Sequence, residues 1–360
     1  MRGTYFTTAL RINDQAGNYT ATIDDWLTDT ITTMSSSSAN NYIIPLNSSV
    51  NFPIGTQLLV AQEGLGQTTI VATSGVTINA VGLSISSRYK SVALIQVALN
   101  EWDAYGTLNF SYTARTTAFA TATAITDTTI LNALNTFDLG LISNGLASKM
   151  KAVYPFVGST ATTQKYNFMD ARDLDIAFRL QFNGGWTHSS NGIQGNGTNT
   201  FADTFFKPST GFSNHHNGGE SVYSRTDISE SKVDMGASDS APGGNLNLTL
   251  RQTGIMYYQT GPPYASAAVT NSLGFYAGSS LTSTDRRIYQ NGVKIGTNTT
   301  LNTEIANTKN IYIGALNHPS FFSTTRQYAF ASLTEGMTDA DQTNLYTLVQ
   351  AFQTSLSRAV

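Results

Sequence analysis

The chain has 360 residues, a formal net charge of -3 and 12% charged residues, about half the usual fraction. This charge excludes the basic surface of a nucleic-acid-binding protein, and the 40% content of hydrophobic residues excludes a disordered chain. The absence of cysteine excludes disulfides, cysteine-ligated metals and thiol catalysis. The uncharged polar composition favours an all-β protein with many turns, and the length favours two domains.

No membrane insertion is predicted, because no apolar segment of the sequence approaches the roughly 18 residues of a membrane span. The N-terminal residues MRGTYFTTALRINDQ lack the apolar core of a signal peptide. If the protein works outside a cell, we therefore expect it to leave without a recognisable signal peptide.

Short β segments follow one another between Tyr42 and Leu108. They read YIIPL, TQLLVAQ, QTTIVAT, VTIN, SVALIQVAL and EWDAYG, each bounded by Gly, Ser or Asn. A spacing of about ten residues between such segments is typical of a compact β-sandwich or barrel. We assign residues 1–110 to this module, and we predict that the Thr/Ala-rich residues 111–125 form an extended linker.

The second predicted domain, residues 126–360, opens with a helical pattern and continues with strands. Apolar residues at helical spacing lie between Ile130 and Phe137, and Gly140 is expected to separate two short helices. Farther along, the alternation of apolar residues from Ile176 to Phe182 predicts a strand with one buried face.

The end of the chain has the clearest local signals. Asn291 and Gly292 lie between RRIY and VKIG, which predicts a hairpin with a two-residue type I′ turn. Two further strands, NIYIGAL and RQYAFASL, follow. Thr338 is then expected to cap a final helix that packs Leu345 and Phe352 on the second domain.

Both halves resemble known families. The run IPLNSSVNFPIGTQLLVAQEGLGQTTIVATSGVTIN, ending in ALNEWDAYGTL, is similar to a small β module of phage tail and fibre proteins. KMKAVYPFVG, GGWTHSS, YQNGVKIG and the closing FASLTEGMTDADQTNLYTLVQAFQ resemble laminin-G-like, concanavalin-A-like jelly rolls attached to bacteriophage virion proteins. The resemblance implies an all-β fold, with a small N-terminal β-sandwich or barrel module and a larger jelly-roll domain with a few peripheral helices.

The same resemblance implies a non-enzymatic structural protein of the virion, in a tail, fibre or capsid-attached fibre. Its N-terminal module would anchor it to other virion proteins or to copies of itself, with a trimer favoured, and its jelly roll would project outward. A phage protein released by lysis needs no signal peptide. Two alternatives stay open, namely a receptor-binding adhesin that recognises a host cell-surface glycan and a glycan depolymerase.

A glycan-binding surface requires aromatic and polar side chains in or beside loops. Rings stack on sugar faces, although most aromatic residues of a β protein belong to its core. The candidate glycan ligands are Trp186, His188, His215, Tyr257 and Tyr258, with Tyr264 beside them.

No catalytic residue is predicted. Glucanases of the jelly-roll superfamily use a strand of the type Glu-x-Asp-x-x-Glu, whose nearest match here is DLDIAF. Asp173 and Asp175 occupy the first two positions of that pattern, but Phe178 occupies the last and cannot act as an acid or base.

No cofactor and no metal site are predicted, apart from a structural calcium ion that is left open. His215 and His216 lie in a Gly/Asn-rich loop rather than at the i, i+4 spacing of a zinc-binding helix. Asp234 and Asp239 are the carboxylates of the segment DMGASDSAPGG, which lacks the twelve-residue pattern of an EF-hand loop.

Overall fold

The structure is a computed structural model that describes residues 10–27, 29–80, 82–109, 112–239, 244–259 and 263–360. The predicted start of the first module, residues 1–9, lies outside the described residues. The chain divides into two compact units, residues 1–111 and residues 112–360. None of the described helices is long and apolar enough to cross a membrane.

The first unit consists almost entirely of short strands. Its elements are β1 (Arg11–Gln15), β2 (Tyr19–Thr20), α1 (Asp24–Leu27), β3 (Thr30–Met34), β4 (Asn40–Ile44), β5 (Gln57–Gln62), β6 (Thr68–Ala72), β7 (Thr77–Asn79), β8 (Ser84–Ile85), β9 (Lys90–Ala98), β10 (Glu101–Gly106) and β11 (Leu108–Asn109). All the β segments predicted between Tyr42 and Leu108 are confirmed as strands.

Two sheets enclose the core of the first unit. One has the strand order β1-β3-β5-β9-β10-β7 and the other the order β11-β8-β6-β4-β2. Leu58 and Trp102 of the first sheet and Tyr42 and Ile70 of the second belong to one buried cluster. The ring of Trp102 meets Phe52 edge-on, with 5.4 Å between ring centroids. The unit is therefore a β-sandwich, as predicted.

The second unit is larger and combines strands with a few helices. Its helices are α2 (Ala114–Thr123), α3 (Thr128–Ser143), α4 (Ala161–Gln164), α5 (Pro208–Gly211) and α6 (Asp339–Ser355). Its strands are β12 (Met150–Tyr154), β13 (Gln181–Asn183), β14 (Thr187–Ser189), β15 (Gly192–Gln194), β16 (Phe201–Asp203), β17 (Gly218–Ser224), β18 (Met235–Ser238), β19 (Asn245–Gln252), β20 (Ile255–Gln259), β21 (Ala265–Ala268), β22 (Gly274–Thr282), β23 (Asp285–Gln290), β24 (Val293–Asn298), β25 (Tyr312–Ile313), β26 (Ala315–Asn317), β27 (Phe322–Ser323) and β28 (Gln327–Thr334).

These strands form an eight-stranded and a nine-stranded sheet. The first has the order β14-β15-β28-β17-β22-β23-β24, with β12 beside β28. The second has the order β13-β16-β25-β18-β19-β20-β21, with β26 and β27 at its side. Val222 and Ile288 of the first sheet and Leu248 and Tyr258 of the second share one buried cluster. The unit is a two-sheet sandwich of the predicted jelly-roll type, and the all-β fold class is confirmed.

A second core lies on the other face of the eight-stranded sheet. Phe137 of α3 and Phe352 of α6 belong to a cluster with Tyr223, Phe275 and Phe330 from that sheet. Helices α3 and α6 thus cover the outside of the eight-stranded sheet.

The predicted signals at the end of the chain are confirmed. Asn291 and Gly292 have φ angles of 49° and 73°, as a type I′ turn requires, and they join β23 to β24. Thr338 caps α6 through a reciprocal capping box with Asp341. The helix buries Leu345 and contributes it to the same cluster as Phe330 of β28.

The prediction of an extended linker at residues 111–125 is wrong, because this segment contains helix α2. Thr113 caps the helix by accepting a hydrogen bond from the backbone N–H of Thr116. Phe119 is 1% exposed and packs against Phe168, with 5.4 Å between ring centroids. Burial of one face explains a helix that the Thr-rich composition did not suggest.

The prediction of two short helices separated at Gly140 is also wrong, since α3 passes through this residue without a break. A Cβ atom at Gly140 would lie 2.2 Å from a methyl carbon of Leu348 in α6. The glycine therefore allows two helices to approach closely, and its role is in packing rather than in termination.

Two predicted strands are shorter than expected. Asp175–Ala177 is a 3-10 turn, Ile176 is 74% exposed and Phe178 has a left-handed backbone, so the strand begins only at Gln181. The segment NIYIGAL is divided into β25 and β26 by Gly314, whose φ is 80°.

Candidate functional site

The outer face of the nine-stranded sheet is built by the period-two alternation of its strands, and it is partly covered, since Asn247 and Thr249 are each 4% exposed. In β19, Leu246, Leu248 and Leu250 belong to the inner core, so Asn247 and Thr249 face the other way. In β20, Tyr258 lies in the core and its neighbour Tyr257 is on the outer face. The two outer rows are in register, since Thr249 is paired with Tyr257 across the strands.

A groove of about 430 Å³ lies on this face. It is lined by Ser231, Lys232, Val233, Asn247, Thr249, Gln252, Tyr257, Tyr264 and Leu316. Hydroxyl, amide and aromatic groups predominate in this lining, together with a single ammonium group. Such a mixture of apolar surface and a few convergent polar groups is typical of small-molecule and oligosaccharide sites.

Two tyrosines form the aromatic wall of the groove. The rings of Tyr257 and Tyr264 are 6.5 Å apart between centroids and nearly perpendicular, at 85°. Tyr264 is 42% exposed and Tyr257 is half-buried. The two rings present flat faces in two orientations, and each face can contact the apolar face of a sugar. The tyrosine hydroxyl groups can then form hydrogen bonds with the hydroxyl groups of that sugar.

The structure separates the predicted glycan ligands. Tyr257 lies in the groove and its neighbour Tyr264 lies beside it. Tyr258 is fully buried and donates a hydrogen bond to the carbonyl of Gly218 at 2.9 Å. Its assignment as a glycan ligand is therefore wrong, because its side chain lies between the two sheets.

Trp186 and His188 lie together at another place in the second unit. The ring of Phe182 packs between them, 6.0 Å from the Trp186 ring and 4.6 Å from the His188 ring. Nδ1 of His188 donates to Oε1 of Gln164 at 2.7 Å, since the amide nitrogen of Gln164 donates to two backbone carbonyls. Partial burial lowers the pKa of His188. These contacts describe a packed corner of the sandwich.

His215 is exposed and lies in a loop with His216, with 3.8 Å between ring centroids. Its Nε2 donates to the carbonyl of Glu304 at 3.1 Å. Partial burial and the neighbouring His215 lower the pKa of His216. In the part of the chain that the structure describes, no three His, Asp or Glu side chains are placed to share a metal ion.

The carboxylates considered in the sequence form ion pairs. Oδ2 of Asp173 lies 2.5 Å from Nζ of Lys165, and Oδ1 of Asp175 lies 2.7 Å from a guanidinium nitrogen of Arg179. Because the strand predicted here is a turn, the two carboxylates do not lie on one face of a sheet.

The two carboxylates considered for calcium are likewise engaged. Asp234 is buried and accepts hydrogen bonds from the N–H of Leu250 and the hydroxyl of Tyr328, at 2.7 and 2.6 Å. Asp239 accepts a hydrogen bond from the N–H of Thr308 at 2.7 Å. The structural calcium ion stays a prediction.

Several groove residues were not anticipated from the sequence, in particular Lys232, Asn247, Thr249 and Gln252. The alternation in NLNLTLRQ was a usable signal for Asn247 and Thr249, because the leucines between them must face the core. Lys232 comes from an irregular segment before β18, and only the fold brings it to the groove.

No protein-family model and no curated protein matches this chain. Among solved structures it is similar to domain 4 of an extracellular arabinanase from Geobacillus stearothermophilus, in complex with arabinotriose. That match has 15% identity and a TM-score of 0.37, and it covers 55% of this chain and 98% of the domain.

Two other similarities are equally distant. A mutant Trypanosoma rangeli sialidase that displays trans-sialidase activity matches at 10% identity with a TM-score of 0.41, over 83% of this chain and 46% of the sialidase. The binding domain of botulinum neurotoxin serotype D matches at 8% identity with a TM-score of 0.37, over 56% of this chain and 52% of that domain. This chain thus spans about half the length of these two proteins.

The prediction that the chain is not an enzyme is contradicted by these similarities, because an arabinanase domain and sialidases are among them. We withdraw it. At these TM-scores the similarities assign no activity to the chain.

Proposed function

We propose that this chain is a structural protein of a bacteriophage virion, in a tail, fibre or capsid-attached fibre, and that its second unit binds a host cell-surface glycan. The first unit attaches the protein to other virion proteins or to copies of itself. The second unit projects outward and presents the groove of the nine-stranded sheet. The protein would then act both as a component of the particle and as an adhesin.

The virion part of this proposal is supported by the sequence resemblance. The run from Tyr42 to Leu108 is similar to a β module of phage tail and fibre proteins, and KMKAVYPFVG and GGWTHSS resemble the opening of phage jelly rolls. Mass spectrometry of purified particles and labelling with antibodies against the chain test it. Absence of the chain from intact particles would refute it.

The glycan part depends on one observation, the Tyr257–Tyr264 groove on the outer sheet face. Its two rings lie beside the neutral polar side chains of Asn247, Thr249 and Gln252. Aromatic faces and hydrogen-bonding groups together match the apolar and polar surfaces of a sugar. A weak single site would be sufficient in an oligomer, since several linked sites bind with avidity.

A glycan array probed with the full-length protein tests the glycan part. We expect binding to host-type polysaccharides and a loss of at least tenfold in Tyr257→Ala, in line with the 2 kcal/mol or more of an aromatic contact residue. Tyr89→Ala is the matched control, since Tyr89 is 70% exposed in the first unit. Thermal unfolding of each variant must match that of the wild type.

The polysaccharides bound by the full-length protein can also be tested for hydrolysis. Polysaccharide that is bound and then shortened would identify a depolymerase, whereas polysaccharide that stays intact would leave binding as the activity of the second unit. Failure of every glycan to bind, or equal binding by Tyr257→Ala, would refute the assignment of the groove.

A further inference from the structure

We propose that the groove selects glycans that carry a carboxylate, such as those containing uronic acids, and that Lys232 is the residue that recognises this charge. The proposal rests on the proposed glycan-binding function and names its ligand class. Three observations on the second unit lead to it.

The first observation is that, in the described part of the chain, the side chain of Lys232 has no hydrogen-bond or ion-pair partner. Most basic side chains of the second unit are engaged, either in ion pairs with carboxylates or in hydrogen bonds to backbone carbonyls. Among the described lysine and arginine side chains of this unit, only those of Lys207 and Lys232 form neither an ion pair nor a hydrogen bond. Lys207 is exposed on the surface, whereas Lys232 is half-buried in the lining of the groove.

The second observation is that, among the residues that the structure describes, no carboxylate lines the groove. The acidic residues nearest to Lys232 in the sequence are held by other groups. Oε1 of Glu230 accepts from the N–H of Thr325 at 3.3 Å, and Oδ1 of Asp234 lies 2.7 Å from Nε of Arg326. Lys232 therefore carries the one formal charge among the described residues that line the groove.

The third observation is that the basic residue of β19 beside the groove is already neutralised. The register shifts after Thr249, so that Gln252 rather than Arg251 lines the groove, and the guanidinium group of Arg251 lies 2.9 Å from Oδ1 of Asp227. An ammonium group is a compact point charge that suits one carboxylate group. Charge complementarity therefore favours an acidic sugar whose ring contacts Tyr257 or Tyr264 while its carboxylate approaches Lys232.

Capsular polysaccharides printed as pairs, each in its native acidic form and in its carboxyl-reduced form, test the proposal with the full-length protein. We expect the wild type to prefer the acidic member of a pair, by about five- to tenfold at low ionic strength, and to lose this preference as salt rises. Lys232→Gln should bind both members equally and as tightly as the wild type binds the reduced one. Lys207→Gln, the control that removes the other unpaired lysine, should behave as the wild type does.

Four results would overturn the proposal. Equal binding of both members by the wild type, or an unchanged preference in Lys232→Gln, would refute it and leave the groove assignment standing if Tyr257→Ala still weakens binding at least tenfold. A loss of the same size in Lys207→Gln would show an effect of overall charge rather than of the groove. Absence of binding to every glycan would refute both this inference and the proposed function.

Discussion

Glu220 is buried in the second unit and forms no ion pair with any residue that the structure describes. Glu220 belongs to β17, where it is paired with Gly278 of β22 on one side and with Leu333 of β28 on the other. It is 1% exposed. Both carboxyl oxygens lack a hydrogen-bond partner. Burial raises the pKa of Glu220 well above its usual value. We therefore expect Glu220 to carry a proton in the folded protein.

Because Glu220 is protonated in the folded protein, its contribution to the free energy of unfolding changes with pH in the direction opposite to that of a salt-bridged carboxylate. In the unfolded chain Glu220 ionises above a pKa of about 4.3, whereas the folded chain must keep the proton to higher pH. The contribution of Glu220 to the free energy of unfolding is therefore greatest below that pH, and it falls as the pH rises towards the pKa of Glu220 in the folded protein. The expected loss is about 1.4 kcal/mol for each pH unit over which only the unfolded chain ionises.

Replacing Glu220 with Gln preserves the shape of the side chain and removes its ionisation. At pH 4 the variant and the wild type should be similarly stable, and from there the variant should gain about 1.4 kcal/mol per pH unit relative to the wild type. Urea unfolding followed by circular dichroism at a series of pH values measures this difference, and hydrogen exchange of peptides from β17 assigns the transition to the second unit. Glu63→Gln, at an exposed carboxylate, should show no such trend.

Parallel pH profiles for the wild type and Glu220→Gln would refute the reasoning. They would mean that Glu220 ionises in the folded state, with a counter-ion or water reaching the interior of the sandwich. A variant that is less stable at every pH by a constant amount would show instead that the amide fits the site poorly.

Two further substitutions test packing in the second unit. In Gly314→Ala the new Cβ would lie 2.4 Å from Cη2 of Trp186 at a φ of 80°, so we expect a loss of about 2–4 kcal/mol in urea unfolding. Gly145→Ala, at a φ of 67° with open space around it, should lose only about 1 kcal/mol, and an equal loss would contradict the role of Trp186. Arg326→Leu leaves the buried carboxylate of Asp234 without the cation that lies 2.7 Å from it, and should cost about 3–5 kcal/mol. Adding Asp234→Asn removes the unpaired charge and keeps an acceptor for the N–H of Leu250 and the hydroxyl of Tyr328, so it should recover part of this loss.

Local patterns predicted most of the strands because their signals are short in range. The Asn291-Gly292 turn needs only two residues with positive φ, and the capping box of Thr338 needs only four consecutive residues. The strands between Tyr42 and Leu108 are bounded by turn residues that act within a few positions of the chain. Such features can be read from a single sequence because tertiary contacts do not decide them.

The failures have long-range causes. Helix α3 continues through Gly140, where the absence of a side chain leaves room for Leu348, a residue far away in the sequence. In β28 a bulge interrupts the period-two alternation, so that Tyr328 and Phe330 belong to the two different cores rather than to one face. In each case the deciding contact involves a segment that no local window contains.

Two adjacent tyrosines of the candidate site show the same difference between what local sequence predicts and what long-range contacts decide. From the sequence alone, Tyr257 and Tyr258 are equivalent candidates, because both are predicted to lie in or beside a loop. The sheet makes them different, since a period of two places one in the groove and the other in the core, with its hydroxyl bonded to Gly218. The parity of a strand is set by the apolar residues that it must bury, here Met256 and Tyr258 against the eight-stranded sheet. On the outer face, Tyr257 is therefore only half-buried, whereas Asn247 and Thr249 of the neighbouring strand are each 4% exposed.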